Sequence, residues 1–250
     1  PHVKMDITGS CDMTQRTEIP EDFEGRKRWI FEQCGHKEGA AEPPKLGLKD
    51  WQEINAELNK AYNLGLDQPT IQTLSLLDTV LHGTHRFFKM AHIRAHTADS
   101  TAAHSKQTMN LVQDMFDTAY PKGIPSDVEA LRRDAVLGAG LHDLGELIVE
   151  GTTMDYMNKL TGKERRKTEE LKDKVEEAVT KFAIVYASKC IAEGNPQKFL
   201  DTIDEIKQKV GLIDENKKRI EVDKPIKLFP EILKWIEKKI DLGDILGVEG

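Results

Sequence analysis

From Leu48 onward the apolar residues recur at spacings of three and four rather than two: Trp51, Ile54, Leu58 and Tyr62, then Leu74, Leu77 and Leu81. That period puts each set on one face of a helix. Leu171, Val175, Val179, Phe182 and Tyr186 predict one long, densely charged helix over 163–193, closed by Gly194-Asn195-Pro196. Further helices are expected over about 197–210 and 229–242, with 211–227 a polar connection able to hold a small hairpin. Ser126 and Glu129, behind Pro125, fit a capping box that would start a helix over about 127–144. Residues 1–47 mix Thr, Gly, Pro and charge without a period, and they read as a largely irregular N-terminal arm with a short helix near 26–33. The expectation is all-α, with one helical domain over 48–250 and an insertion at about 195–228.

Composition narrows the partners. The chain has 250 residues, 38% hydrophobic and 32% charged, enough for a substantial core. With 43 acidic and 36 basic residues the net charge is −7, which argues against a nucleic acid polymer or an anionic membrane as partner. Any phosphate handled by this chain then needs locally placed positive charge. Cys11, Cys34 and Cys190 form no CxxC pair, so neither a disulfide framework nor a cysteine zinc site is expected. No apolar run approaches the roughly 18 residues of a membrane span, and no hydrophobic signal core opens the chain, so a cytoplasmic protein is expected. Pro1 to Lys4, ahead of Met5, read as residues added before a natural start.

Two histidines stand where helical periodicity predicts burial. His104 shares a stripe with Thr108, Leu111, Val112 and Met115, and His142 shares one with Leu131, Ala135 and Gly138. A lone histidine on such a face is ordinarily a core residue satisfied by a hydrogen bond. His142 is followed directly by Asp143 and, three residues on, by Glu146, which gathers nitrogen and oxygen donors of the kind divalent transition metals take. Gly138, Ala139, Gly140 and Gly145 would allow tight helix contact or close approach of a ligand. His82 and His85 read as helix-packing residues, and Cys34-Gly35-His36 as loop.

His104, the His142-Asp143 pair 38 residues later, and the run Gly140-Leu-His-Asp-Leu-Gly-Glu146 resemble the HD-domain superfamily of metal-dependent phosphohydrolases, and most closely its compact 5′-deoxynucleotidases. The similarity spans about 74–246 and is also carried by 94–105 and the charged 163–170. The resemblance implies an all-α HD bundle holding one divalent metal ion (Mn, Co, Fe, Ni, Zn or Mg) through His104, His142, Asp143 and a late aspartate. Asp241 is preferred for that last ligand, with Asp204 the alternative. It further implies that Glu146 relays protons as water held at the metal attacks the phosphorus of a (deoxy)nucleoside monophosphate. Arg94 and Lys89 would hold the phosphate, and pairing into a homodimer is compatible with the pattern. Two positions depart from it: Ala103 stands where a glutamate is common, and Glu150-Gly151 reverses a Gly-Asp pair. A (d)NTP triphosphohydrolase and a non-catalytic HD module that binds a nucleotide or a partner remain the alternatives. Diiron oxygenases of the superfamily need histidines beyond the pair, and His142 is the last in the chain.

Overall fold

An amphipathic helix is stable only if its apolar stripe is covered, so a chain of such helices must pack them against one another. The computed structural model describes residues 18–33, 46–82, 100–148, 160–218, 220 and 225–239. Eight α-helices appear: α1 (Phe23–Gln33), α2 (Leu48–Ala61), α3 (Gln68–His82), α4 (Thr101–Ala119), α5 (Glu129–Leu141), α6 (Gly162–Ala192), α7 (Pro196–Lys209) and α8 (Phe229–Lys239). Short 3-10 turns η1 (Leu144–Leu147) and η2 (Pro225–Leu228) complete the order. There is no strand among the described residues, and the chain is all-α as expected. No helix of the described residues is long and apolar enough to cross a membrane.

The predicted positions on α2 and α3 carry much of the core. Trp51, Ile54, Leu58, Tyr62, Leu77 and Leu81 are buried. One polar knot lies among them: Asn55 Nδ2 donates to Ser75 Oγ at 3.1 Å and to Asp78 Oδ2 at 2.7 Å, and Lys106 of α4 pairs with the same Asp78 oxygen at 2.8 Å. A buried carboxylate is tolerable only with such partners. α1 begins three residues before its expected start, because Asp22 Oδ1 accepts the Gly25 N–H at 2.8 Å. Its Trp29 and Ile30 join the core, and Arg26 Nε donates to Asn110 Oδ1 of α4 at 2.8 Å.

α6 buries Val175, Val179 and Phe182 as the spacing predicts, and packs on α3, η1, α7 and α8. It ends where Gly194 takes φ +67, a left-handed conformation that costs glycine little. Asn195 then caps α7 by accepting the Lys198 N–H, with Pro196 at the first helical position. Phe182, Tyr186, Phe199 and Trp235 form an aromatic cluster across α6, α7 and α8. The hairpin expected after Gly211 is a tight turn in which Asp214 and Lys218 pair through their backbones at 2.8 Å. α8 is described to Lys239, and the rest of its expected span lies outside the described residues.

Two expectations fail. The capping box does not form: Ser126 to Val128 make turns, α5 starts at Glu129, and Glu129 spends both carboxylate oxygens on Arg132 at 3.0 and 2.6 Å. The stripes on α4 and α5 are also turned the other way, with Leu111 50%, Met115 63% and Leu131 63% exposed. The buried face of α4 instead carries Ala102, Ala103, Lys106, Met109, Asn110 and Gln113, and that of α5 carries Arg132, Val136 and Gly140. The polar members go inside because each finds a partner: Lys106 takes Asp78, Asn110 takes Arg26, and Gln113 and Arg132 bond each other at 2.7 Å. Buried polar side chains with complete hydrogen bonding override hydropathy at these positions.

Candidate metal centre

α4 and α5 lie antiparallel, since Gln113 meets Arg132 at one end while the rings of His104 and His142 stand 5.4 Å apart at the other. Gly140 permits this close approach, because a β-carbon there would meet Met109 Sδ at 2.7 Å. Gly145 lets η1 settle equally closely on α6, whereas Gly138 faces open space. At the His104–His142 end, the chain turns between α5 and η1 and brings Asp143 to the Nε2 atoms of both rings.

Asp143 Oδ2 lies 3.0 Å from His142 Nε2 and 3.7 Å from His104 Nε2, and the donor atoms of the three residues all fall within 4.8 Å of one another. The carboxylate is 8% exposed, while the imidazoles are 36% and 34% exposed, so the cluster is rooted in the protein and open on one side. His142 Nδ1 is 2.6 Å from the Ala139 carbonyl oxygen. A carbonyl only accepts, so Nδ1 carries hydrogen and Nε2 is the nitrogen left to face Asp143. A ring nitrogen 3.0 Å from a carboxylate oxygen needs a cation between them, either a proton or a metal. Separations of 3.0 and 3.7 Å also suit atoms sharing one ion through bonds of about 2.0–2.2 Å. The three residues could therefore hold a metal ion, and a backbone carbonyl orienting a ligating imidazole is the usual outer support for one.

Glu146 follows on the same turn, its backbone N–H donating to Asp143 O at 2.9 Å. Its Oε2 lies 3.5 Å from the hydroxyl of Thr101, a buried residue at the start of α4. Sequence reasoning did not single out Thr101; Ser100, which caps α4, was the available signal. The predicted ligands His104, His142 and Asp143 are thus brought together, while Glu146 follows on the same turn with its carboxylate against Thr101 and is not one of the clustered donors.

Asp204 does not join them. Its carboxylate pairs with Lys217 at 2.6 Å, and that hydrogen bond raises the lysine pKa above its ordinary value. Lys89, Arg94, Asp241, His85 and the Cys34-Gly35-His36 and Glu150-Gly151 segments lie outside the described residues. His82 is a packing residue as expected, buried with its ring edge-on to Trp51 at 5.5 Å.

A cleft of about 480 Å³ opens at the opposite end of the α4–α5 pair, between Tyr62, Gln113, Asp117, Tyr120, Glu129 and Arg132. Arg132 is spent there: its five N–H groups go to Glu129 twice, Gln113, and the carbonyls of Tyr62 and Asn63. Burial pushes the Tyr62 phenol well above its ordinary pKa. This cleft is a cross-brace for the helices, with its charges mutually satisfied, and the candidate metal ligands lie at the other end. No family model, curated protein or solved structure matches the chain.

Proposed function

We propose that this chain is a metal-dependent phosphohydrolase of the HD-domain type acting on nucleotides, and specifically a 5′-deoxynucleotidase. The observation that carries the reading is the convergence of His104 Nε2, His142 Nε2 and Asp143 Oδ2, with Glu146 on the same turn and the imidazoles open to solvent. A divalent ion bound there supplies positive charge that acidifies water and polarises the phosphorus–oxygen bond. Asp143 is buried and holds its Oδ2 near both imidazole Nε2 atoms. His142 is locked by Ala139 O in the tautomer that offers Nε2. Asp241 completes the donor set, and Arg94 and Lys89 hold the phosphate oxygens.

Glu146 takes the proton of the attacking water and passes it to the departing nucleoside 5′-oxygen, so one P–O bond forms, one breaks, and inorganic phosphate leaves. A purely structural metal site would have no use for a carboxylate in that place. Cytoplasmic nucleotide metabolism is the corresponding setting, with a homodimer as the corresponding assembly.

The test is phosphate release from a panel of deoxy- and ribonucleoside mono- and triphosphates with Mn, Co or Mg, comparing the native chain with His142→Ala and Glu146→Gln. Inorganic phosphate from monophosphates, lost in both variants, supports the nucleotidase. Release of intact triphosphate moves the chain to the triphosphohydrolases. Metal binding without turnover makes it a binding module.

A further inference from the structure

The first turn of α4 carries two groups that the centre depends on. His104 supplies an imidazole, and Thr101, three residues earlier, reaches Glu146. That turn is held at its start by Ser100, which is fully buried. Ser100 Oγ accepts the Ala103 N–H at 3.2 Å, and Ser100 O accepts the His104 N–H at 3.0 Å. A cap of this kind decides whether the first turn of a helix stays formed.

What fixes the cap lies on another helix. His82, on the last turn of α3, is hydrogen-bonded through Nδ1 to Ser100 Oγ at 3.1 Å, and its ring stands edge-on to the fully buried Trp51. Trp51, His82 and Ser100 thus run as a rigid series from the centre of the core to the residue from which His104 and Thr101 are placed.

We infer that His82 is a positioning residue for the metal centre: by holding Ser100 it sets the first turn of α4, and so the meeting of His104 with Asp143 and of Thr101 with Glu146. The inference rests on the cluster being a metal centre, whatever the substrate. It separates cleanly from simple space-filling. Any ring would pack against Trp51, but only a side chain with a polar atom in the Nδ1 position can satisfy Ser100. His82→Phe keeps the ring and loses the bond, whereas His82→Asn keeps a polar atom at that position and loses much of the ring.

The experiment is Co(II) titration of the full chain followed by its visible absorption, with Zn(II) competition, for the native protein, His82→Phe, His82→Asn and Ser100→Ala. Positioning predicts that His82→Phe weakens metal binding roughly tenfold or more and alters the Co(II) bands, as loss of outer support does elsewhere. His82→Asn should stay within about threefold of native on the same scale. Ser100→Ala should reproduce the His82→Phe loss, and the double variant should add nothing to it. Native affinity and spectrum in His82→Phe, or an Asn variant worse than Phe, overturns the inference. Should His82→Phe fail to fold, Ser100→Ala decides alone, native binding there overturning it. A native chain that takes up no Co(II) sinks the metal centre itself, a different result from native binding that is indifferent to residue 82.

Discussion

Gly145 touches Glu176 so closely that a β-carbon on the glycine would stand 2.5 Å from Glu176 Cβ and 2.9 Å from its Cα. Since η1 carries Asp143 at its start and Glu146 within it, this single contact with α6 sets the height of both carboxylates relative to the imidazoles. Gly145→Ala cannot be absorbed by rotating a flexible side chain, because backbone is in the way. Overpacking of this kind costs about 1–3 kcal/mol. Urea unfolding should show that loss, and calorimetric zinc binding should weaken in the protein that remains folded. Unchanged values of both would mean that η1 is free to slide.

The reversed faces of α4 give a sharp contrast within one helix. Met109 is 4% exposed and Met115 63% exposed. Met109→Ala should cost about 2–5 kcal/mol, as buried truncations do, while Met115→Gln should stay within roughly 0.5 kcal/mol of native. Thermal unfolding of the two variants checks the assignment. Equal losses would restore the periodic reading.

Acidification should act partly through Glu129. Its hydrogen bond to Arg132, with the charges of Arg132 and Arg133, holds the carboxyl below its ordinary value of 4.5. A group with a depressed folded pKa stabilises the fold fully above the unfolded value, and that contribution is lost as pH falls through the folded one. The midpoint of thermal unfolding should therefore fall on going below about pH 4.5, and fall less steeply in Glu129→Gln. Parallel curves for the two proteins would remove Glu129 from the account.

The two late aspartates make opposite predictions. Asp204 is committed to Lys217 at 2.6 Å, so Asp204→Asn should leave metal affinity at the native value. Asp241→Asn should weaken it while the helical circular dichroism stays native. Loss of binding in the Asp204 variant alone would exchange the two assignments.

Periodicity was a sound guide wherever burial was purely apolar. Trp51 to Tyr62 on α2 and Val175 to Phe182 on α6 lie where spacing puts them, since nothing competes with hydropathy there. It misled on α4 and α5 because Lys106, Asn110 and Arg132 are inside. Their partners, Asp78, Arg26 and Tyr62, come from positions 28 to 84 residues away, which no local window samples. The His142-Asp143 pair was legible as adjacency, since the two are neighbours in the chain and Glu146 follows on the same turn. His104 was expected on a buried face and stands instead with its imidazole 34% exposed. The supports of the cluster, Thr101 and the His82–Ser100 bond, depend on how α3, α4 and η1 cross and had no local signature.

The turn at Gly194 and Asn195 has a consequence for the order in which the molecule assembles. It folds α7 back on α6 so that Tyr186 and Thr202, 16 residues apart, come into hydrogen-bonding distance, whereas Arg26 and Asn110 must close 84 residues to meet. Because the entropy of closing a loop grows with its length, contacts of the first kind are gained early and those of the second late. The α6–α7 hairpin should acquire amide protection ahead of α1 and the first turn of α4 in pulsed hydrogen exchange. The cluster of His104, His142 and Asp143, which draws on that first turn of α4, is then ordered late, and an ion bound there would act on a nearly finished fold.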